Sequence, residues 1–360
     1  MRKFKTDWYD KTLSQYIGGW ERNAANEAEI GIEIEVEGRN LPRNNLTGWV
    51  LHEDGSLRGE SAEYVFRNPI ARTAVPDRLR ILQQGFENAN SEINQSYRTS
   101  VHVHMNVRNF LIKHIYNNIM LYIIFEDILA EMAGKDRVGN LFCLRAKDAE
   151  FFLEVLRNAI ITDDLRGLAS DNLRYSAVNP AAMWRHGSLE FRSFRGTTDM
   201  TLIQQWVDVL CAIRDAAQRY NNPIEIVTDL SAKGPRQFVE SIFGTALMPL
   251  FGQGFEDKVY AGVQLIQHAA YAHDWSPVVQ SPEAAKKRAS KSSGVGNLEF
   301  VLEQLRGDPE VRPVAWAGNP PQPDMPQRAP RRAPPAPRAE GAPIPIQFDA
   351  WIDNIREEEI

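Results

Sequence analysis

The chain has 360 residues, 43% of them hydrophobic, and a formal net charge of −6, the ordinary make-up of a soluble protein with one large core or two modest ones. The acidic balance argues against a general nucleic-acid-binding surface. Cys143 and Cys211 stand alone and build neither a CxxC metal site nor a disulfide framework, which suits a reducing, cytoplasmic compartment. The first twenty residues lack the continuous apolar core of a signal peptide, and the most apolar run, 119–125, is too short to span a membrane.

The first informative stretch is GIEIEVEG, residues 31–38. Ile30, Ile32, Ile34 and Val36 alternate with Glu29, Glu33, Glu35 and Glu37, the period-two pattern of a strand with one buried face and all its carboxylates on the other. Same-face neighbours on a strand lie roughly 7 Å apart, and at an effective dielectric near 20 two such charges repel by about 2 kcal/mol. A cation on that face would turn repulsion into coordination; without one it is a solvated acidic face.

Beyond a loop at 38–48, Asp54-Gly55 marks a turn between two short strands, Trp49 to His52 and Ala62 to Phe66. On the second, Glu63 shares a face with Val65, while Tyr64 and Phe66 take the other. Residues 73–93 read as a helix entered through Pro76 and Asp77. The second informative stretch, RTSVHVHMNV from Arg98 to Val107, alternates again: Val101, Val103, Met105 and Val107 face one way, His102, His104 and Asn106 the other. Two histidines two apart on a strand aim their imidazoles at one metal or one substrate, or else are surface residues.

From Asn109 to Ala133 the apolar spacing becomes helical, closed by Gly134. In the loop that follows, Arg137 and Asn140 could touch a ligand, but solvent exposure is the expectation, and the loop leads into an amphipathic helix carrying Phe151, Phe152, Val155 and Leu156. A third stretch runs from Asn172 to Asp199. After a turn at His186-Gly187, Leu189 and Phe191 alternate with Glu190 and Arg192 on a strand. A loop from Arg195 to Asp199 then caps a long helix from about Met200 to Tyr220. Carboxylates and an imidazole would hold divalent cations while the Arg192 guanidinium takes a phosphate as a fork; the alternative is a structural ion pair.

Taken in order, GIEIE, DGS, EYVF, HVH, RYSAVN and LEFR followed by RGT resemble the amidoligase family of carboxylate-amine ligases, relatives of glutamine synthetase and glutamate-cysteine ligase. The resemblance covers about residues 30–200. It implies an α+β, glutamine synthetase-like fold: a curved, mostly antiparallel sheet with helices on the outer face and a funnel-shaped site on the concave one. It also implies ATP and Mg2+ or Mn2+ as cofactors. Glu33, Glu35, Glu63, His102 and Glu190 would be metal ligands. Arg192 would contact the transferring phosphate, with Glu190 and Arg174 beside it as catalytic residues. Arg174, Asn179 and Arg195 would face the nucleotide or the substrate. The family often has a glycine just before its His-x-His, where this chain has Arg98-Thr99-Ser100.

The implied reaction joins a small-molecule or peptide carboxylate to an amine. A carboxylate is a poor electrophile, so ATP must first convert it to an acyl phosphate, a step that needs positioning and charge neutralisation. A Walker-type phosphate loop is absent from the sequence. Two other readings stand beside this one: a metal-dependent phosphoesterase or nuclease, since acidic residues with histidine also suit two-metal hydrolysis, and a non-catalytic relative acting as an interaction protein.

Residues 1–305 are expected to form the catalytic domain, mainly helical beyond residue 200, with loops at Gly234-Pro235 and from Gly252 to Gly254. The basic run at Lys286, Lys287, Arg288 and Lys291 reads as an exposed loop, the GVGN at 294–297 as a linker, and 297–305 as a short helix. Eleven of the 33 residues from Pro313 to Pro345 are proline, so 306–345 should be an extended linker. In 346–360, Phe348, Trp351, Ile352 and Ile355 fall at helical spacing and suggest an amphipathic docking helix, for the chain's own core or a protein partner. No membrane or nucleic-acid partner is expected.

Overall fold

The computed structural model describes residues 8–18, 29–44, 46–94, 96–273 and 275. The chain divides into two units, Met1–Ala285 and Lys286–Ile360, and every described residue belongs to the first. The expectations for the basic run, the GVGN, the short helix, the proline-rich linker and the tail lie outside the described residues.

The architecture is α+β, built on one open sheet of seven strands. In chain order these are β1 (Ile30–Arg39), β2 (Trp49–His52), β3 (Ser61–Phe66), β4 (Glu92–Asn94), β5 (Ser100–Asn106), β6 (Val178–Asn179) and β7 (Ser188–Arg195). They run in the order β2-β3-β1-β5-β7-β6, with β4 also on β1, and every pairing is antiparallel. Among the described residues eight α-helices accompany them: α1 (Leu13–Ile17), α2 (Val75–Asn88), α3 (Ile112–Ala133), α4 (Glu150–Thr162), α5 (Ala182–His186), α6 (Met200–Ala217), α7 (Pro223–Leu247) and α8 (Phe255–Ala270).

Period-two alternation decides which way each strand faces. Ile30, Ile32, Ile34, Val36, Val101, Val103, Met105, Leu189, Phe191 and Phe194 are all buried in one hydrophobic core, where α3 touches β7 and α6 touches β5. The other face is left to the polar residues of the same strands. Glu29 departs from the expected row: it precedes β1, and its carboxylate pairs with Arg214 of α6 at 2.8 Å and accepts the Arg72 backbone N–H.

Several expected boundaries shift for local reasons. The helix expected over 73–93 stops at Asn88 because Asn90 turns left-handed, at φ 50°, and the chain then adds β4 to the edge of β1. Gly38 permits that addition, since a Cβ there would lie 2.2 Å from the Glu92 carbonyl oxygen. The long helix α3 is buried on nearly every side, Asn117, Asn118 and Glu126 included, rather than along one stripe. Its Asn117 amide donates to the Ala217 and Tyr220 carbonyls at the end of α6. Helix α7 is broken at Gly234 and again at Gly244, both with positive φ.

Candidate active site

Register brings the polar residues of six strands into adjacent rows. Glu35 lies opposite Glu63, and Glu63 in turn opposite His52. Glu33 lies opposite His102 and Gly31 opposite His104. His104 is paired with Glu190, and Glu190 with Asn179. Gly31 matters here because a Cβ would stand 3.3 Å from the His104 Cβ, crowding the ring it faces. Between Val101 and Val103 the β5–β7 register slips, so Arg192 and Ser193 together oppose the single residue His102. This bulge leaves Arg192 on the polar face while Ser193 meets Tyr122 of α3, Oγ to phenol oxygen 2.7 Å.

The side chains interlock. His102 Nδ1 stands 3.0 Å from Glu33 Oε2, and His104 Nε2 3.1 Å from Glu33 Oε1. His102 Nε2 lies 2.7 Å from Ser100 Oγ, which donates to Glu35 Oε2 at 2.6 Å. Glu190 accepts from the Asn179 amide at 2.6 Å and from Arg192, and the side-chain Oδ1 of Asn179 in turn accepts the Ala181 N–H. Ser100 thus tethers Glu35 to His102.

Two groups of three residues each bring ligand atoms within 4.8 Å of one another: Glu33, His102 and Glu190, and Glu35, Asp54 and Glu63. All five residues expected as metal ligands fall into these groups. Asp54 was expected only as a turn residue; its position in the β2–β3 connection carries no periodicity that could have marked it. Carboxylate oxygens with one imidazole are a donor set suited to Mg2+ or Mn2+.

The electrostatics support the same conclusion. Burial and the neighbouring charges of Glu33, Glu35 and Asp54 push the Glu63 carboxyl up to about 8. Burial likewise raises Glu35, against the opposing pull of His102 and the Ser100 hydroxyl. Glu33 is also pushed up by burial, but the positive charge and hydrogen bonds of His104 and His102 outweigh it and hold Glu33 well below the usual carboxylate range. The same opposition, with Arg192 the main counter-charge, leaves Glu190 lowered. The group around Glu63 thus has more negative charge than its protein partners neutralise, and a cation would relieve it.

Arginines border the acidic rows. Arg192, Arg137, Arg98 and Arg174 line a cavity of about 380 Å3 together with Glu35, Asp54, Ser100, Phe142 and Tyr175. One wall joins the 134–145 loop to the 170–177 segment: Leu144 N–H donates to the Tyr175 carbonyl at 2.7 Å and Ala177 N–H to the Leu144 carbonyl at 2.8 Å. Arg137 corrects the expectation of an exposed loop residue. It is only 4% exposed, and its Nη2 donates to the Arg192 carbonyl at 2.9 Å. Arg174 lies over the Tyr175 ring and donates to its hydroxyl. Arg195, expected at the nucleotide, instead donates to the Met132 carbonyl at 2.9 Å and is not among the residues lining the cavity. The glycine of the RGT run, Gly196, is required sterically, because a Cβ would meet Thr99 Oγ1 at 2.0 Å.

Residues 73–213 match a family model described as "Putative amidoligase enzyme". That segment is similar to the amidoligase family. The matched amidoligase segment includes β5, β6 and β7, and so His102, Asn179, Glu190 and Arg192; β1 and β3, with Glu33, Glu35 and Glu63, precede it. No curated protein matches the chain. The amidoligase match supports a ligase-type function, and no helix among the described residues is long and apolar enough to cross a membrane.

Proposed function

We propose that the protein is an ATP-dependent carboxylate-amine ligase with a glutamine synthetase-like catalytic domain, acting through an acyl phosphate. The observation that carries this reading is the pair of acidic groups on one sheet face with Arg192 beside them, in a chain whose family match is to amidoligases. Glu33, His102 and Glu190 would hold one divalent cation, and Glu35, Asp54 and Glu63 a second. Bound there, the cations would neutralise and orient the phosphates of the nucleotide.

The remaining work falls to the chain's own side chains. Arg192, fixed at its backbone by Arg137 and at its guanidinium by Glu190, stands where charge on a transferring phosphate can be met by a planar fork. Asn179 holds Glu190 in place through its amide, and Ser100 fixes Glu35 relative to His102. His104, held between Glu33 and Ser188, fixes the position of the Glu33 carboxylate. Arg174, also in the cavity lining, would meet the anionic ligand.

A screen of ATP consumption by the full chain over amino acids, peptides and polyamines, read by mass spectrometry, tests the reading. ADP release that requires both an acid and an amine, with a new amide as product, is the expected result. Phosphodiester cleavage without ATP would instead select a metal-dependent hydrolase. Neither activity would leave a non-catalytic relative.

A further inference from the structure

The cavity beside the acidic rows brings four guanidiniums against two carboxylates, Glu35 and Asp54. Both of those carboxylates belong to the same candidate cation group. Among the described residues Arg192 has a carboxylate partner, Glu190, whereas Arg98, Arg137 and Arg174 form no salt bridge. Arg137 is the telling case. It is almost wholly buried, it donates to one backbone carbonyl, and its Nε is buried without a hydrogen-bond partner. A buried guanidinium without a counter-charge is costly, so a fold that keeps one in a cavity wall leaves a place for an anion.

The surroundings of the arginines are aromatic. Arg98 lies over the Tyr97 ring at 5.1 Å and Arg174 over the Tyr175 ring at 4.7 Å. Phe142 lines the cavity and packs 6.4 Å from Tyr175 between centroids. Phe142 is nevertheless 43% exposed and Tyr97 60%, and the Asn140 amide ties the two loops together by donating to the Tyr97 carbonyl. Guanidiniums in the lining, with the exposed rings of Phe142 and of Tyr97 beside Arg98, describe a ligand with an anionic head and an apolar body.

We infer that this cavity is the acid-substrate pocket, with Arg137 and Arg98 as binding residues, and that it takes an organic carboxylate bearing an apolar or aromatic group that packs on Phe142 and Tyr97. The assignment rests on the ligase reading. The phosphate donor belongs with the two acidic groups, and Arg192, which lines the cavity and also bonds Glu190, stands at the boundary where acid and phosphate must meet.

Calorimetric titration of the full chain tests it, with magnesium present and a non-hydrolysable ATP analogue either as titrant or saturating. N-acetyl-L-phenylalanine should bind at least about tenfold more tightly than N-acetylglycine. Arg137→Gln and Arg98→Ala should each weaken the acid by about tenfold or more, the loss expected for a charge-assisted hydrogen bond, while in Arg98→Ala the Kd of the ATP analogue stays within about twofold. Phe142→Ala should reduce the preference for the aromatic acid over N-acetylglycine. Should Arg137→Gln fail to fold by circular dichroism, Arg98→Ala and Phe142→Ala carry the test, since both residues are partly exposed. A shift in the analogue's Kd with the acids unaffected would assign the pocket to the nucleotide and overturn the inference. Analogue binding with no response to either acid would overturn it too and leave the ligase reading standing. Failure of the analogue itself to bind would instead remove the ligase reading on which the inference rests.

Discussion

Glu63→Gln should stabilise the metal-free protein above neutral pH. In the folded chain the Glu63 carboxyl is raised from 4.5 to about 8 by burial and by Glu33, Glu35 and Asp54. At about 1.4 kcal/mol per pH unit, that rise corresponds to about 5 kcal/mol. Because the folded value lies above the unfolded one, the contribution is fully present below pH 4.5 and is lost as pH rises through about 8. By pH 7, about 3 kcal/mol of it is gone. Glutamine keeps the shape and removes the ionisation, so in EDTA the variant should gain on the parent by about 2.5 kcal/mol between pH 5 and pH 7. Other groups contribute to the parent's own slope, His104 among them, and the difference between the two proteins isolates Glu63. Urea unfolding at pH 5, 6, 7 and 8, in EDTA and in magnesium, measures it. Magnesium should favour the parent over the variant, increasingly so at higher pH. A variant that loses ground to the parent in EDTA as pH rises would refute the picture of an under-neutralised acidic group.

Three further outcomes follow from particular contacts. Glu126, buried in α3 with one oxygen accepting the Ala146 N–H and the other unpartnered, is raised to about 8 by burial; its contribution is likewise lost between pH 4.5 and about 8, and urea unfolding should show Glu126→Gln flattening that loss. Ser100→Ala breaks the tether between Glu35 and His102 and should weaken Mn2+ binding by about 10-fold or more, measured by electron paramagnetic resonance. Gly262→Ala would push a Cβ to 2.3 Å from the Ile124 carbonyl oxygen where α8 crosses α3, and thermal unfolding should show a loss of about 2 kcal/mol or more, since backbone rather than a flexible side chain must move.

What the sequence made legible is what alternates. Glu33, Glu35, Glu63, His102, Glu190 and Arg192 all stand on strands whose other face is apolar, so period two alone predicts a shared side, and the antiparallel register then sets them in adjacent rows. Residues on connections carry no such signal. Asp54 in the β2–β3 turn and Arg137 beyond α3 have local sequences that read as exposed, and only the packing of their loops against the sheet makes one a candidate ligand and the other a buried cation. Arg195 shows the opposite failure: it is paired with Ser100 at the end of β7, but the Met132 carbonyl takes its guanidinium. The short strands β4 and β6 were hidden for a different reason, since two or three residues cannot display a period.

The central claim is that an acid is activated by phosphorylation on this sheet face, and oxygen-isotope transfer tests it most directly. An acid identified by the substrate screen, labelled with 18O in its carboxylate, is turned over with ATP, magnesium and the amine, and the inorganic phosphate released is analysed by mass spectrometry. Formation of an acyl phosphate moves one carboxylate oxygen to phosphate when the amine attacks, so one 18O per phosphate is predicted for each amide made. Amide formation with unlabelled phosphate would contradict the account.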